Sequence, residues 1–269
     1  MSSSIIICPI CQASLSKQNK QWSCSNGHCF DQAKEGYTNL LAVQHKHSKL
    51  PGDSKAMLQA RRAFLNQGYF AFLADAVNQQ LAPLALKQIL DIGCGEGYYT
   101  QQLCQQQTQV EHVIGIDISK DGIKMAAKRC QQAQFFVASN HRLPLADHSI
   151  DCVVRIFAPS DQQELLRVSR PGAYLLKVVP GARHLWQLRK QLYKELQEHL
   201  EQAESMAGWQ LLNQQKITQQ VKLKQQEMQA LAAMTPFAWK KNQQLEQLLA
   251  SEAVFDMDFE FVLQLYQRA

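Results

Sequence analysis

From Gln88 onward the apolar residues come in short unbroken strings. "QILDIG", "HVIGID", "QFFVA", "DCVVRIF" and "AYLLKVV" read as strands buried on both faces. Between them "YYTQQLCQQ", "KDGIKMAAKRC" and "QQELLRVS" carry helical periodicity. This alternation predicts βαβ units and a parallel sheet. Upstream, Met57, Ala60, Phe64 and Leu65 share one face of a helix that starts at Asp53 or Ser54 and ends at Gly68. A second helix is predicted over Ala71–Leu81. After "PGARH" a long helical stretch is expected to about Ser205. In the tail, Phe259, Phe261, Leu263 and Leu265 repeat at period two, which predicts a late antiparallel strand paired with "KITQQVKLK".

Residues 1–35 break this pattern. They are polar, cysteine-rich and too few to build a core without a staple. Cys8-Pro-Ile-Cys11 forms a Cys-x2-Cys turn, and after twelve intervening residues Cys24 opens a second half, followed by His28 and Cys29. Two short loops that each offer two thiolate or imidazole donors suit the tetrahedral shell of Zn²⁺. A closed set of four donors is structural rather than catalytic. The spacing leaves His28 and Cys29 as alternative fourth donors.

Three units follow: a zinc-binding lobe at 1–35, a basic linker with helices at 36–85, and the alternating domain at 86–269. "MSSSIIICPIC" has no basic n-region, so no secretory signal is read, and no apolar run approaches the roughly 18 residues of a membrane span. A cytoplasmic chain without membrane contact is expected, in which clustered cysteines mean metal. The net charge is +5, and the excess sits early: Gln44 to Arg62 holds five Lys or Arg, two His and a single acid, Asp53. That stretch suits a nucleic-acid partner.

"DIGCGEG" sets Gly93, Gly95 and Gly97 between a strand and a helix, where glycines let the backbone turn sharply and approach a ligand. The spacing does not fit the dinucleotide pattern Gly-x-Gly-x-x-Gly. It resembles motif I of the S-adenosylmethionine-dependent methyltransferases. Asp117 ends the next strand, 20 positions after Gly97, where a carboxylate can accept both ribose hydroxyls. Ser139 and Asn140 follow the third strand, where this fold meets the adenine ring. Gly93, Cys94, Gly95, Glu96, Gly97, Asp117, Ser139 and Asn140 are therefore the candidate cofactor residues.

Over nearly its whole length the chain resembles the bacterial 23S ribosomal RNA guanine-N1 methyltransferases. The likeness rests on "CPIC", Cys24 with His28, Phe30 and Asp31, "AKEGYTNLL", "QHK", "PGDS", "QARRAFL", "DIGCGEGYYT", "HRLP" and "MTPFAW". It implies a Rossmann-like class I methyltransferase sheet with a small N-terminal zinc-binding lobe. It also implies zinc on Cys8, Cys11, Cys24 and His28, and a cofactor flanked by Phe70 and His184, with Phe70 where a tyrosine was expected. The implied reaction is methyl transfer to N1 of a guanine in a hairpin loop of 23S rRNA. Lys46, Lys49, Arg61 and Arg62 are the expected phosphate contacts. A homodimer is allowed for. Asp161, Glu164 and Arg155 lie in the loop after the fourth strand, where acceptors sit. Asp161 and Glu164 are candidate bases, weighed against helix capping and first-turn charge, and Arg155 faces O6 or pairs with a carboxylate. No general base is assigned. Met234, Phe237 and Trp239 stack on a base or fill the core. Two rival readings are a small-molecule methyltransferase and a non-catalytic zinc module that binds RNA.

Overall fold

The computed structural model describes residues 4–42, 52–193, 195–235, 243–251 and 253–269. A small sheet of three antiparallel strands comes first: β1 (Ser16–Gln18), β2 (Gln21–Ser23) and β3 (Cys29–Asp31). The main sheet has eight strands. These are β4 (Thr38–Asn39), β5 (Gln88–Ile92), β6 (His112–Asp117), β7 (Gln134–Val137), β8 (Ile150–Ile156), β9 (Ser169–Pro180), β10 (Trp209–Leu223) and β11 (Phe255–Arg268). Their order across the sheet is β10-β11-β9-β8-β5-β6-β7-β4. β4 to β9 run parallel, and β11 lies antiparallel between β9 and β10. β8 and β5 sit at the centre, and the chain leaves β5 in one direction across the sheet and β8 in the other. That switch point, at the carboxyl ends of the strands, is where open α/β sheets bind ligands.

Side chains leave a strand alternately to its two faces. In β5, Ile89 enters one core and Leu90 and Ile92 the other. The first core takes α1 (Lys55–Asn66) and α2 (Ala71–Leu81), together with Phe259, Phe261, Leu263 and Leu265 of β11, the period-two face read from the sequence. Ser54 caps α1 by accepting from the Met57 N–H at 3.3 Å. α3 (Tyr98–Gln106) and α4 (Lys120–Arg129) follow β5 and β6, and α5 (Gln162–Val168) follows β8.

The expected helix to Ser205 is not there. α6 covers only Trp186–Lys190, and the chain beyond it is an irregular strap. Its polar groups are already engaged by the sheet. Glu201 accepts from the Ala182 N–H at 2.7 Å and pairs with Lys216 at 2.8 Å. Glu204 pairs with the buried Lys177 at 2.8 Å, and its carbonyl accepts from the Tyr266 hydroxyl at 3.1 Å. A helix would turn these partners away from the sheet. α7 (Gln225–Ala233) and α8 (Gln243–Ala250) lie in sequence between β10 and β11. Among the described residues no helix is long and apolar enough to cross a membrane.

The N-terminal lobe is built onto the sheet. The Ile7 N–H donates to Pro144 and the Ala146 N–H to Ile5, and β4 extends the sheet edge beside β7. Trp22 packs edge-on against Phe136, with ring centroids 5.7 Å apart, in a core that also holds Ile6, Cys8, Leu15, Leu90 and Ile116. Lobe and sheet share apolar contacts, so their stabilities are coupled. Trp22→Ala should cost about 3–5 kcal/mol and shift one common melting transition. Calorimetry showing an early separate lobe transition, with the main one unmoved, would contradict this.

Candidate functional site

At the end of β5 the chain turns through Gly93, Gly95 and Gly97, all at positive φ (72°, 56° and 84°), a region that favours glycine. The turn is pinned from β6. The Gly93 and Cys94 N–H groups donate to the Ile116 carbonyl at 2.7 and 3.1 Å. Asp117 Oδ2 accepts from the Gly95 N–H at 2.9 Å, and Oδ1 accepts from the Ser119 N–H at 2.7 Å. Burial pushes the Asp117 carboxyl up, against the two N–H donors that hold it down. A side chain at Gly93 would overlap Ala158, and one at Gly97 would overlap Ala126 of α4. At Gly95 the nearest neighbour is the Arg61 guanidinium, 3.5 Å from where a Cβ would stand.

One acid beneath the loop, Asp91, was given no role by the sequence pattern. Asp91 is buried and accepts from the Thr100 hydroxyl at 2.5 Å; burial, with Asp117 adding, pushes its carboxyl up to about 7. Asp53 pairs with Arg61 at 2.6 Å. Glu96 is buried, and Arg129 lies 2.8 Å and Arg62 3.7 Å from its Oε2. Burial outweighs both cations in raising the Glu96 carboxyl. Arg61 and Arg62 thus lie at the glycine loop, each beside an acid. Lys46 and Lys49 lie outside the described residues, as do Phe237 and Trp239, and Met234 is in the core.

Ser139 and Asn140 stand beside the loop. Asn140 Nδ2 donates to the Pro159 carbonyl at 3.0 Å and lies 3.6 Å from where a Gly93 Cβ would be, while the buried Oδ1 has no partner. A glycine cradle, a paired acid and an orphaned buried acceptor fit a nucleoside-bearing cofactor. Phe70 and His184 meet through β11: the Phe70 ring is 4.8 Å from Phe259 and 5.1 Å from Phe261, and the His184 ring is 4.6 Å from Phe261. His184 Nδ1 accepts from the Glu260 N–H at 3.3 Å, which leaves the proton on Nε2. Burial, with His199 and Arg189 adding, pushes the imidazole down to about 3, so it is neutral at ordinary pH.

The candidate bases have structural partners. Asp161 caps α5 through the N–H groups of Gln163 and Glu164. Glu164 accepts from the Leu143 N–H at 2.6 Å and from Arg167 at 2.7 and 2.8 Å. Arg155 donates to the Ser160 hydroxyl at 2.5 Å.

In the lobe the donor atoms of Cys8, Cys11, Cys24 and His28 lie within 4.8 Å of one another. Three of the edges are 3.6 Å (Cys8–His28), 3.7 Å (Cys11–Cys24) and 3.5 Å (Cys24–His28). A tetrahedron with Zn–S of about 2.3 Å has S···S edges of about 3.8 Å, so the three sulfurs and one nitrogen fit Zn²⁺. Cys29 is exposed and faces the Gly27 carbonyl at 3.6 Å, away from the cluster. Two cavities, of about 420 and 470 Å³, flank the lobe. Neither is lined by the glycine loop or Asp117.

A family model described as "RlmA, N-terminal", of the zinc-ribbon type, matches residues 6–49, and one described as "Methyltransferase domain" matches residues 89–172. The 23S rRNA (guanine(748)-N(1))-methyltransferase of Streptomyces fradiae is 31% identical over 244 residues, 87% of this chain and 86% of that one. YxjB of Bacillus subtilis, whose name gives it the 23S rRNA guanine-N1 class provisionally, is 34% identical over 71% of this chain and 70% of its own. A Micromonospora griseorubida protein, also provisionally named, is 33% identical over 67% of each. With a zinc-ribbon lobe ahead of an S-adenosylmethionine-type site, and with relatives 31–34% identical over most of its length, the chain is a methyltransferase that belongs to the 23S rRNA (guanine-N1)-methyltransferase family.

Proposed function

We propose that this enzyme methylates N1 of a guanine in a hairpin loop of 23S ribosomal RNA, in the cytoplasm. The observation that carries this reading is the 31% identity over 87% of the chain, beside a separate family match to the lobe at residues 6–49. A small-molecule methyltransferase has no need of the lobe.

In this reading Cys8, Cys11, Cys24 and His28 hold a structural zinc. Asp117 takes the ribose hydroxyls, and Gly93, Cys94, Gly95, Glu96 and Gly97 form the backbone cradle. Ser139 and Asn140 meet the adenine, and Phe70 and His184 flank the far side. Bound S-adenosylmethionine supplies an electrophilic methyl group. The protein's own task is to position the acceptor and exclude water, because orientation alone removes much of such a barrier. Guanine N1 carries a proton and lies on the pairing edge, so the base must be unpaired or extruded to be reached. Phosphates are gripped by Lys46 and Lys49, with Arg61 and Arg62 at the cofactor mouth.

Primer extension tests the reading. A methyl on N1 replaces the hydrogen-bond donor that pairs with cytosine, so reverse transcription stops there. A 23S transcript incubated with enzyme and cofactor should give one new stop at a guanine. Labelled methyl found only in small metabolites would overturn it.

Three variants test the assigned roles. Asp117→Ala removes a charged acceptor worth about 1.5–3 kcal/mol, so cofactor affinity should fall about tenfold or more. Calorimetry on a folded variant with unchanged affinity would remove Asp117 from the site. Cys29→Ser should keep one zinc per chain and His28→Ala should lose it; metal analysis giving the reverse would exchange the two ligands. Lys46→Glu with Lys49→Glu should weaken RNA binding, with a defect that shrinks as salt rises, while cofactor affinity stays. Equal RNA affinity at low salt would exclude these lysines from the grip.

A further inference from the structure

Phe157 is the first residue beyond β8, at the carboxyl end of a strand that pairs with β5. Its φ of 55° lies in the left-handed region, uncommon for a bulky side chain. Its N–H is held by the Val178 carbonyl at 3.3 Å, so the conformation is tied to the sheet. The next residue, Ala158, fills the space where a Gly93 side chain would be, which sets Phe157 against the cofactor loop.

Phe157 is 48% exposed, between a buried strand and a packed aromatic cluster. It rests on Phe261 at 5.5 Å and lies near-parallel to His184, 25° between planes and 6.3 Å between centroids. Other large apolar side chains are exposed among the described residues, such as Ile10, Leu200 and Val254. Phe157 is the one whose chain neighbour touches the glycine loop. A strained backbone that holds an aromatic face out of the core, at the mouth of a catalytic cleft, points to use of that face.

We propose that Phe157 is the platform on which the extruded target purine stacks while N1 is presented to the methyl donor. The inference rests on the rRNA reading above. An extruded base loses its stacking partners in the RNA, and an aromatic ring replaces them. The Phe157 ring has no hydrogen-bonding group, so it holds the base by its face and leaves the pairing edge, with N1 and O6, open to other groups. Its back is supported by Phe261 and by neutral His184, so no charge is buried when the base arrives.

Phe157→Ala, Phe157→Leu and Phe157→Tyr are compared on a 23S transcript, with kcat and KM read separately and S-adenosylhomocysteine affinity measured by calorimetry. Loss of one base-stacking contact should lower kcat/KM for RNA by roughly 10- to 100-fold in the alanine variant. Leucine should not recover it, tyrosine should recover most of it, and cofactor affinity should not change. Leucine as active as phenylalanine would mean that apolar packing alone is needed, and would overturn the platform. A fall in cofactor affinity that matches the fall in kcat/KM would move Phe157 into the cofactor site instead. Active wild-type enzyme with an unimpaired alanine variant defeats the platform alone, whereas wild-type protein that leaves the transcript unmethylated defeats the rRNA reading and the platform with it.

Discussion

The site depends on one half-buried carboxylate. Asp117 holds the Gly95 N–H with one oxygen and the Ser119 N–H with the other, and so ties the turn after β5 to the end of β6. Three positive-φ glycines would otherwise leave that turn loose, since glycine gives up the most freedom on ordering. The neighbours are cut to fit the braced turn: Ala158 against Gly93, Ala126 of α4 against Gly97, and Arg61 over Gly95 with Asp53 behind it. The arrangement has a cost. Burial raises the carboxyls of Asp117, Asp91 and Glu96, so each binds its proton more tightly folded than unfolded. Their ionisation takes stability away as pH rises through the raised values, from about 4 to about 7 for Asp91. The loop is thus an expensive structure, and function at this site supplies the reason for keeping it.

The metal cluster solves a different problem. A lobe of some thirty residues cannot bury enough apolar surface to order itself. Four donors at tetrahedral spacing can hold its two turns, and Trp22 then inserts into the core beneath β7. The segment that follows the lobe supplies β4, which covers the β7 edge of the sheet. A knuckle ahead of a cofactor domain therefore makes structural sense before any RNA is considered, because it closes the sheet and gives the chain a second surface next to the first.

Much of this was legible in the residues. Strands buried on both faces announce themselves as apolar strings, as β5 and β6 do, and the period-two face of β11 needed only counting. Local chemistry narrowed the α1 cap to Asp53 or Ser54, of which the fold uses Ser54, and it gave the bounds of α2. What failed was set by distant partners. The strap after α6 has helix-forming composition, yet its carboxylates find Lys177 and Lys216. The expectation that Arg61 and Arg62 meet phosphate stands beside their ion pairs with Asp53 and Glu96. Spacing alone could not separate His28 from Cys29, whose side chains leave the backbone in different directions. Phe157 carries no local signal at all, since nothing in "RIFAPS" marks a left-handed residue.

The most direct test of the account is a crystal structure of the zinc-loaded protein with S-adenosylhomocysteine. The expected result is the ribose on the Asp117 carboxylate, the adenine beside Ser139 and Asn140, and the nucleoside against the Gly95 backbone. A nucleoside bound elsewhere, with Asp117 still held only by Gly95 and Ser119, would contradict it.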